Sequence, residues 1–165
     1  MYIQMKFKNI YKYKKGDKIM KNIVLVTHGS FAEGILTSLK LVYGNTENTV
    51  PVTITASESI QEILSMIRKR IDEFKNDEPV VIITDIAGGS TTQAALEALS
   101  YKENIYLLTG LSLGLLLEVV LADFTDSKAE NIEILNEIIE NSKQTINLIT
   151  DLEENIDSVS DNCEL

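Results

Sequence analysis

"PVVIITDIAGGSTTQAAL", residues 79–96, is the stretch on which the fold turns. Pro79 opens four consecutive β-branched residues, Val80-Val81-Ile82-Ile83, with no polar residue among them. A strand with one wet face alternates apolar and polar residues, so an unbroken run marks a strand buried on both faces. "TDIAGGS" follows as a loop, and Thr91 to Leu99 reads as a helix. Strand, glycine loop and helix in that order are the unit of a parallel α/β sheet.

The same unit recurs on either side. Upstream, Ile23 to Thr27 is a second buried-strand run, and Phe31 to Tyr43 is helical, with apolar residues at 31, 35, 36, 39 and 42 and a stop at Gly44. Val50 to Thr55 reads as a strand. Ser59 with Glu62 forms a capping-box pair ahead of apolar positions 60, 63, 64, 67, 71 and 74. Downstream, Ile105 to Leu108 is a strand, Leu113 to Leu121 a helix after "TGLSLG", and Ala129 to Ile139 a further helix. "TINLIT", residues 145–150, is a candidate last strand. Strands alternating with helices this way predict an α/β fold, an open doubly wound and mostly parallel sheet with helices on both faces. No fixed-period repeat or low-complexity block interrupts the pattern.

Composition bounds the rest. A chain of 165 residues, 44% hydrophobic and with only two prolines, suits one globular domain. A net charge of −10 argues against a nucleic-acid partner. The single cysteine, Cys163, permits no internal disulfide and fits a reducing, cytoplasmic compartment. No apolar run of about 18 residues is present, so direct membrane insertion is not expected. The nearest candidate, Ile105 to Leu121, is broken by Thr109, Gly110, Ser112, Gly114 and Glu118.

Residues 1–19 stand apart, with six lysines against one acid, Asp17. They are read as an N-terminal extension, disordered or a mis-assigned start, because Lys15-Gly16-Asp17 can be encoded by a purine-rich stretch resembling a ribosome-binding site just before Met20. Residues 20–150 are read as the domain, and 151–165 as a frayed acidic tail.

In open parallel sheets, ligands collect outside the carboxyl ends of the strands. Three loops should meet there: His28-Gly29-Ser30, Asp85 to Ser90, and Thr109 to Ser112. His28 is the only histidine in the chain. An imidazole is a nucleophile when one ring nitrogen is bare and the other donates to a fixed acceptor. Asp85 is the natural orienting carboxylate. Gly88-Gly89-Ser90 opens a helix whose free amides and positive dipole end suit an anion, with Gly29 contributing beside it. Thr27, Thr109 and Ser112 are candidates for the rim. Histidine, acid and amide cradle together specify phosphoryl transfer. No G-x-x-x-x-G-K-[ST] loop is present, and neither a second histidine nor a placed cysteine could hold a metal, so no cofactor and no metal are expected and the group should arrive from another protein. Taken singly, each feature has a plainer reading: a structural histidine, a turn with a helix cap, an Asx-type cap. Their convergence on one edge favours the chemical reading.

"VTHGSFAEGIL", "ITDIAGGSTTQAAL" and "LLTGLSLGLLLEVVL" resemble, in order and separation, the IIA component of the mannose/fructose/sorbose family of the bacterial phosphoenolpyruvate-dependent sugar phosphotransferase system (PTS). The likeness spans Met20 to about Ile149. It implies a cytoplasmic phosphotransferase subunit in sugar transport, with His28 as the phosphohistidine bonded through Nε2, Asp85 orienting it, and Gly88, Gly89 and Ser90 lining the phosphate pocket. The implied donor is phosphocarrier protein HPr. The implied acceptor is a separate IIB subunit, which reaches the membrane IIC and IID complex. The implied sheet has five strands in the order 2-1-3-4-5, the last antiparallel and exchanged in a homodimer, which makes "TINLIT" the exchanged strand. Many relatives follow Gly-Gly-Ser with Pro-Phe-Asn. Here Thr91-Thr92-Gln93 stands instead, which would alter the rim met by HPr or IIB. Two alternatives stay open at this point: the phosphoryl-donor subunit of a dihydroxyacetone kinase, and a regulatory module read out by phosphorylation of His28. No residue writes which sugar is carried.

Overall fold

The computed structural model describes residues 20–148 and Thr150. The readings of residues 1–19 and 151–165 lie outside the described residues.

The continuous apolar runs form strands because each is covered on both sides. In chain order the elements are β1 (Asn22–His28), α1 (Phe31–Val42), β2 (Thr49–Ile54), α2 (Ile60–Glu73), β3 (Val80–Thr84), α3 (Ser90–Ala98), β4 (Ile105–Thr109), α4 (Leu113–Leu121) and α5 (Lys128–Lys143). Side chains alternate across a strand. In β1 and β3, Ile23, Leu25, Val81 and Ile83 therefore face one layer, where they pack with Ile35, Leu39, Leu116, Val119 and Ile138 of α1, α4 and α5. Val24, Val26, Val80 and Ile82 face the other, against Ile63, Ile67, Ala94 and Ala98 of α2 and α3. Each such aliphatic side chain removed from water contributes about 1.5–3 kcal/mol, so neither face of β1 or β3 tolerates a charge.

All the pairings are parallel, and the strand order is β2-β1-β3-β4. The chain winds outward from β1 to β2 and then crosses back to β3, so the order reverses between β1 and β3. That reversal opens a crevice at their carboxyl ends, and the register sets its depth: β1 pairs with β3 only as far as Val26↔Thr84 but runs on beside β2 to His28↔Ile54.

Helix starts follow the expected chemistry. Ser59 and Glu62 make the reciprocal capping box of α2. The side chain of Ser112 accepts from the Leu115 amide at the start of α4, and that of Ser127 from the Glu130 amide at the start of α5. On α1 the inward face is Ala32, Ile35 and Leu39, whereas Phe31 and Val42, read as part of that face, are exposed.

Two expectations about the sheet are corrected: among the described residues it has four strands rather than five, and no antiparallel strand closes it. Residues 145–148 form no strand. Helix α5 runs past Ile139 to Lys143, and the chain leaves it through short turn bonds from the Thr145 amide to Ser142 and the Ile146 amide to Lys143. Ile146 and Leu148, the alternating apolar residues that suggested a strand, are 82% and 86% exposed. No described residue supports an exchange of this segment with a second subunit.

Candidate functional site

β1 carries His28 two residues beyond its last pairing with β3. Where a further ladder partner would stand, Asp85 returns its side chain: Oδ2 accepts the backbone N–H of His28 at 2.8 Å and contacts the ring Nδ1 at 2.9 Å. The acid is nearly enclosed, its side chain 9% exposed, while the imidazole is 45% exposed. An ionised carboxylate only accepts, so Nδ1 carries the proton and the lone pair lies on Nε2. That nitrogen is 3.4 Å from Ser90 Oγ.

The other carboxylate oxygen is also engaged. Asp85 Oδ1 accepts from the Ile86 amide at 2.9 Å and from the Thr91 hydroxyl at 3.1 Å. Burial pushes the Asp85 pKa up, but the bonds from His28, Thr91 and Ile86 outweigh it and hold the carboxyl below its ordinary value. The acid is therefore ionised at neutral pH.

The loop between Asp85 and α3 is shaped by two glycines with different work. Gly88 has a φ of +78°, which favours glycine. Gly89 is the N-cap residue of α3 and gives it no side-chain bond. A Cβ at Gly89 would lie 3.7 Å from His28 Cε1, so this backbone passes close beside the imidazole. The first intrahelical bond of α3 runs from Gln93 to the Gly89 carbonyl. The amides of Ser90, Thr91 and Thr92 precede it and have no partner within the helix. They supply partial positive charge next to Nε2.

The structure thus gathers His28, Asp85, Gly88, Gly89 and Ser90 at one rim. It sets other expected residues apart. Gly29 turns the chain with a φ of +56°, and its amide donates to the Ile54 carbonyl at 2.8 Å, so that N–H is already spent on the sheet. Thr27 is buried, and its hydroxyl accepts from the Ala32 amide at 2.8 Å, capping α1 rather than lining the rim. Ser112 caps α4, and Thr109 ends β4 exposed; among the described residues neither is bonded to His28 or Asp85. Thr91 went unread as a partner of the acid. Its signal was its place one residue inside a helix that starts on the loop bearing the acid, which turns its side chain back towards Asp85.

Among the described residues no cluster of three or more His, Cys, Asp or Glu could hold a metal ion, and no helix is long and apolar enough to cross a membrane.

Fold and rim together define a class: an open parallel α/β domain with its one histidine, backed by an acid, at the point where the strand order reverses. Within that class the chain belongs to the EIIA-man family, described as the PTS system fructose IIA component, whose family model matches residues 22–136; such sugar-specific components act as phosphoryl carriers. It is 30% identical over 97 residues to the PTS system sorbose-specific EIIA component of Lacticaseibacillus casei, covering 59% of this chain and 70% of that one. It is 24% identical over 101 residues to the PTS system fructose-specific EIIA component of Bacillus subtilis, covering 61% of this chain and 69% of that one. The crystal structure of phosphotransferase system component EIIA from Streptococcus agalactiae superposes with a TM-score of 0.67 at 26% identity, covering 78% of this chain and 97% of that one.

Proposed function

We propose that His28 is the phosphoryl carrier of this component. It takes the group from phosphorylated HPr and passes it to a IIB partner that serves a membrane IIC and IID complex in the uptake and phosphorylation of a sugar. In the first step the Nε2 lone pair attacks phosphorus, the P–N bond to the donor's imidazole breaks, and its electron pair returns to that ring. The second step is the same displacement with this chain as donor. The observation that carries the proposal is the 2.9 Å contact of Nδ1 with Asp85, which leaves the lone pair on Nε2 of a half-exposed ring.

The surroundings suit a group that must be held and released. Phosphoryl transfer needs in-line placement and shielding of negative charge more than covalent help from the protein. Backbone amides of α3 and the Ser90 hydroxyl provide moderate stabilisation. An arginine clamp would bind more tightly, and none of the three rim segments contains an arginine. Such a carrier works in the cytoplasm, as a domain over residues 20–150. The reading takes in a homodimer, as the resemblance to the family implies. Light scattering on the purified chain is expected to give twice the chain mass.

The test is incubation with phosphoenolpyruvate, enzyme I and HPr, followed by mass spectrometry. An acid-labile phosphate on His28 is expected, with none on His28→Ala. Labelling of the alanine variant at the wild-type rate refutes the assignment.

A further inference from the structure

The three residues after Ser90 all reach back to the loop they follow. Thr91 donates to Asp85 Oδ1 at 3.1 Å, Thr92 to the Ile86 carbonyl at 2.7 Å, and the Gln93 side chain to the Gly88 carbonyl at 3.3 Å. Thr92 is itself anchored through a 2.8 Å hydroxyl–hydroxyl contact with Thr84 at the end of β3. These residues were expected at a partner-facing rim; instead Thr91 and Thr92 are buried.

Only the first of these bonds touches the acid that holds the histidine. Asp85 has four donors: the backbone and ring of His28 on Oδ2, and Ile86 and Thr91 on Oδ1. A carboxylate offers about four lone-pair sites, so the set is full. Two donors belong to β1 and one to the residue next to Asp85 itself. Thr91 alone belongs to α3. Its hydroxyl is the bond that fastens the orienting carboxylate to the helix whose first amides, with Ser90, flank Nε2.

We propose that Thr91 is a positioning residue. Its hydroxyl fixes the rotation of the Asp85 carboxylate relative to α3, so that Oδ2 stays on Nδ1 and the Nε2 lone pair faces the start of the helix. The Thr91 side chain acts through Asp85: its hydroxyl bonds the carboxylate and neither ring nitrogen of His28. The consequence for rate rests on His28 being the phosphoryl acceptor; the consequence for the imidazole does not.

Shape and hydrogen bond can be separated here. Valine keeps the outline of Thr91 in its buried site and deletes the donor, whereas serine keeps the donor and deletes a methyl group. Nitrogen-15 NMR of the His28 ring reads the tautomer directly. The Nδ1–H form is expected in the wild type and in Thr91→Ser, and a mixture of both tautomers in Thr91→Val. Phosphoryl transfer from phospho-HPr is expected to slow about five- to tenfold in Thr91→Val, the size of one hydrogen bond's net contribution, and to stay within about twofold in Thr91→Ser. Thr91→Ala reads the same tautomer shift should the valine variant not fold. A valine variant with wild-type tautomer and rate overturns the proposal, as does a serine variant impaired equally. If the wild-type chain accepts no phosphoryl group at all, the carrier reading falls and the tautomer ratio alone decides the role of Thr91.

Discussion

Helix α3 starts after Asp85-Ile86-Ala87-Gly88-Gly89 and helix α4 after Gly110-Leu111-Ser112, each behind a parallel strand and a glycine of positive φ. At α4 the Ser112 hydroxyl closes the helix by accepting from the Leu115 amide at 3.1 Å. At α3 the cap residue is a glycine, and no side chain takes that place. The starts of α2 and α5 are closed like that of α4, by Ser59 and Ser127, and at α1 the Thr27 hydroxyl of β1 accepts from the Ala32 amide although the N-cap Ser30 makes no side-chain bond. Two similar turns thus do opposite things with the same dipole. One occupies a free amide with its serine hydroxyl and anchors a helix; the other offers no side-chain cap beside the only histidine. Openness at a helix start costs stability, and here it is kept where an anion would be received.

The contrast can be broken from several directions. The largest effect is expected from Asp85→Asn, which replaces an acceptor by an amide able to donate towards Nδ1. Transfer from phospho-HPr should fall about 10²- to 10³-fold, within the range for losing an acid–base partner, measured by single-turnover labelling of the folded variant. Next is Gly89→Asp, which closes α3 as α4 is closed and adds a negative charge where the phosphoryl group would sit. Space permits it, since a Cβ there makes only ordinary contacts. Transfer should drop about 10²-fold while thermal unfolding rises slightly, by a few tenths of a kcal/mol. Ser112→Ala is the mirror experiment: about 1 kcal/mol of stability lost in urea denaturation, with transfer within about twofold of wild type. The smallest effect is one of pH. Asp85 is held below its unfolded value of about 3.9, so its contribution to stability is present above pH ~4 and is lost as pH falls through the lower folded value. The urea midpoints of wild type and Asp85→Asn should therefore converge below pH ~4. A gap that stays constant to pH ~2 contradicts the bonding described.

Much of this was legible in the amino acids. Val80 to Ile83 and Ile23 to Thr27 announce doubly covered strands because nothing polar interrupts them, and the Ser59–Glu62 box announces α2. His28 and Asp85 could be placed together because both follow such strands. What escaped were matters of phase and of partnership. Thr27 looked like rim but shares the strand face of Ile23 and Leu25, which sends its hydroxyl inward to α1. Thr91 and Thr92 were placed at the rim by the resemblance, as they stand where many relatives have Pro-Phe, yet the first turn of α3 rotates them onto the loop. "TINLIT" has the alternation of a strand, but alternation says only that one face is apolar; it does not supply a neighbouring strand to bond with.

Asp85 makes two hydrogen bonds to a single residue, His28. By taking the main-chain N–H of His28 as well as its ring, the carboxylate serves as the terminal rung of the sheet. Any fraying of that strand tip must release the imidazole in the same event. Deuterium uptake at the His28 amide is accordingly a gauge of how often the imidazole is out of register, readable without phosphorylating anything.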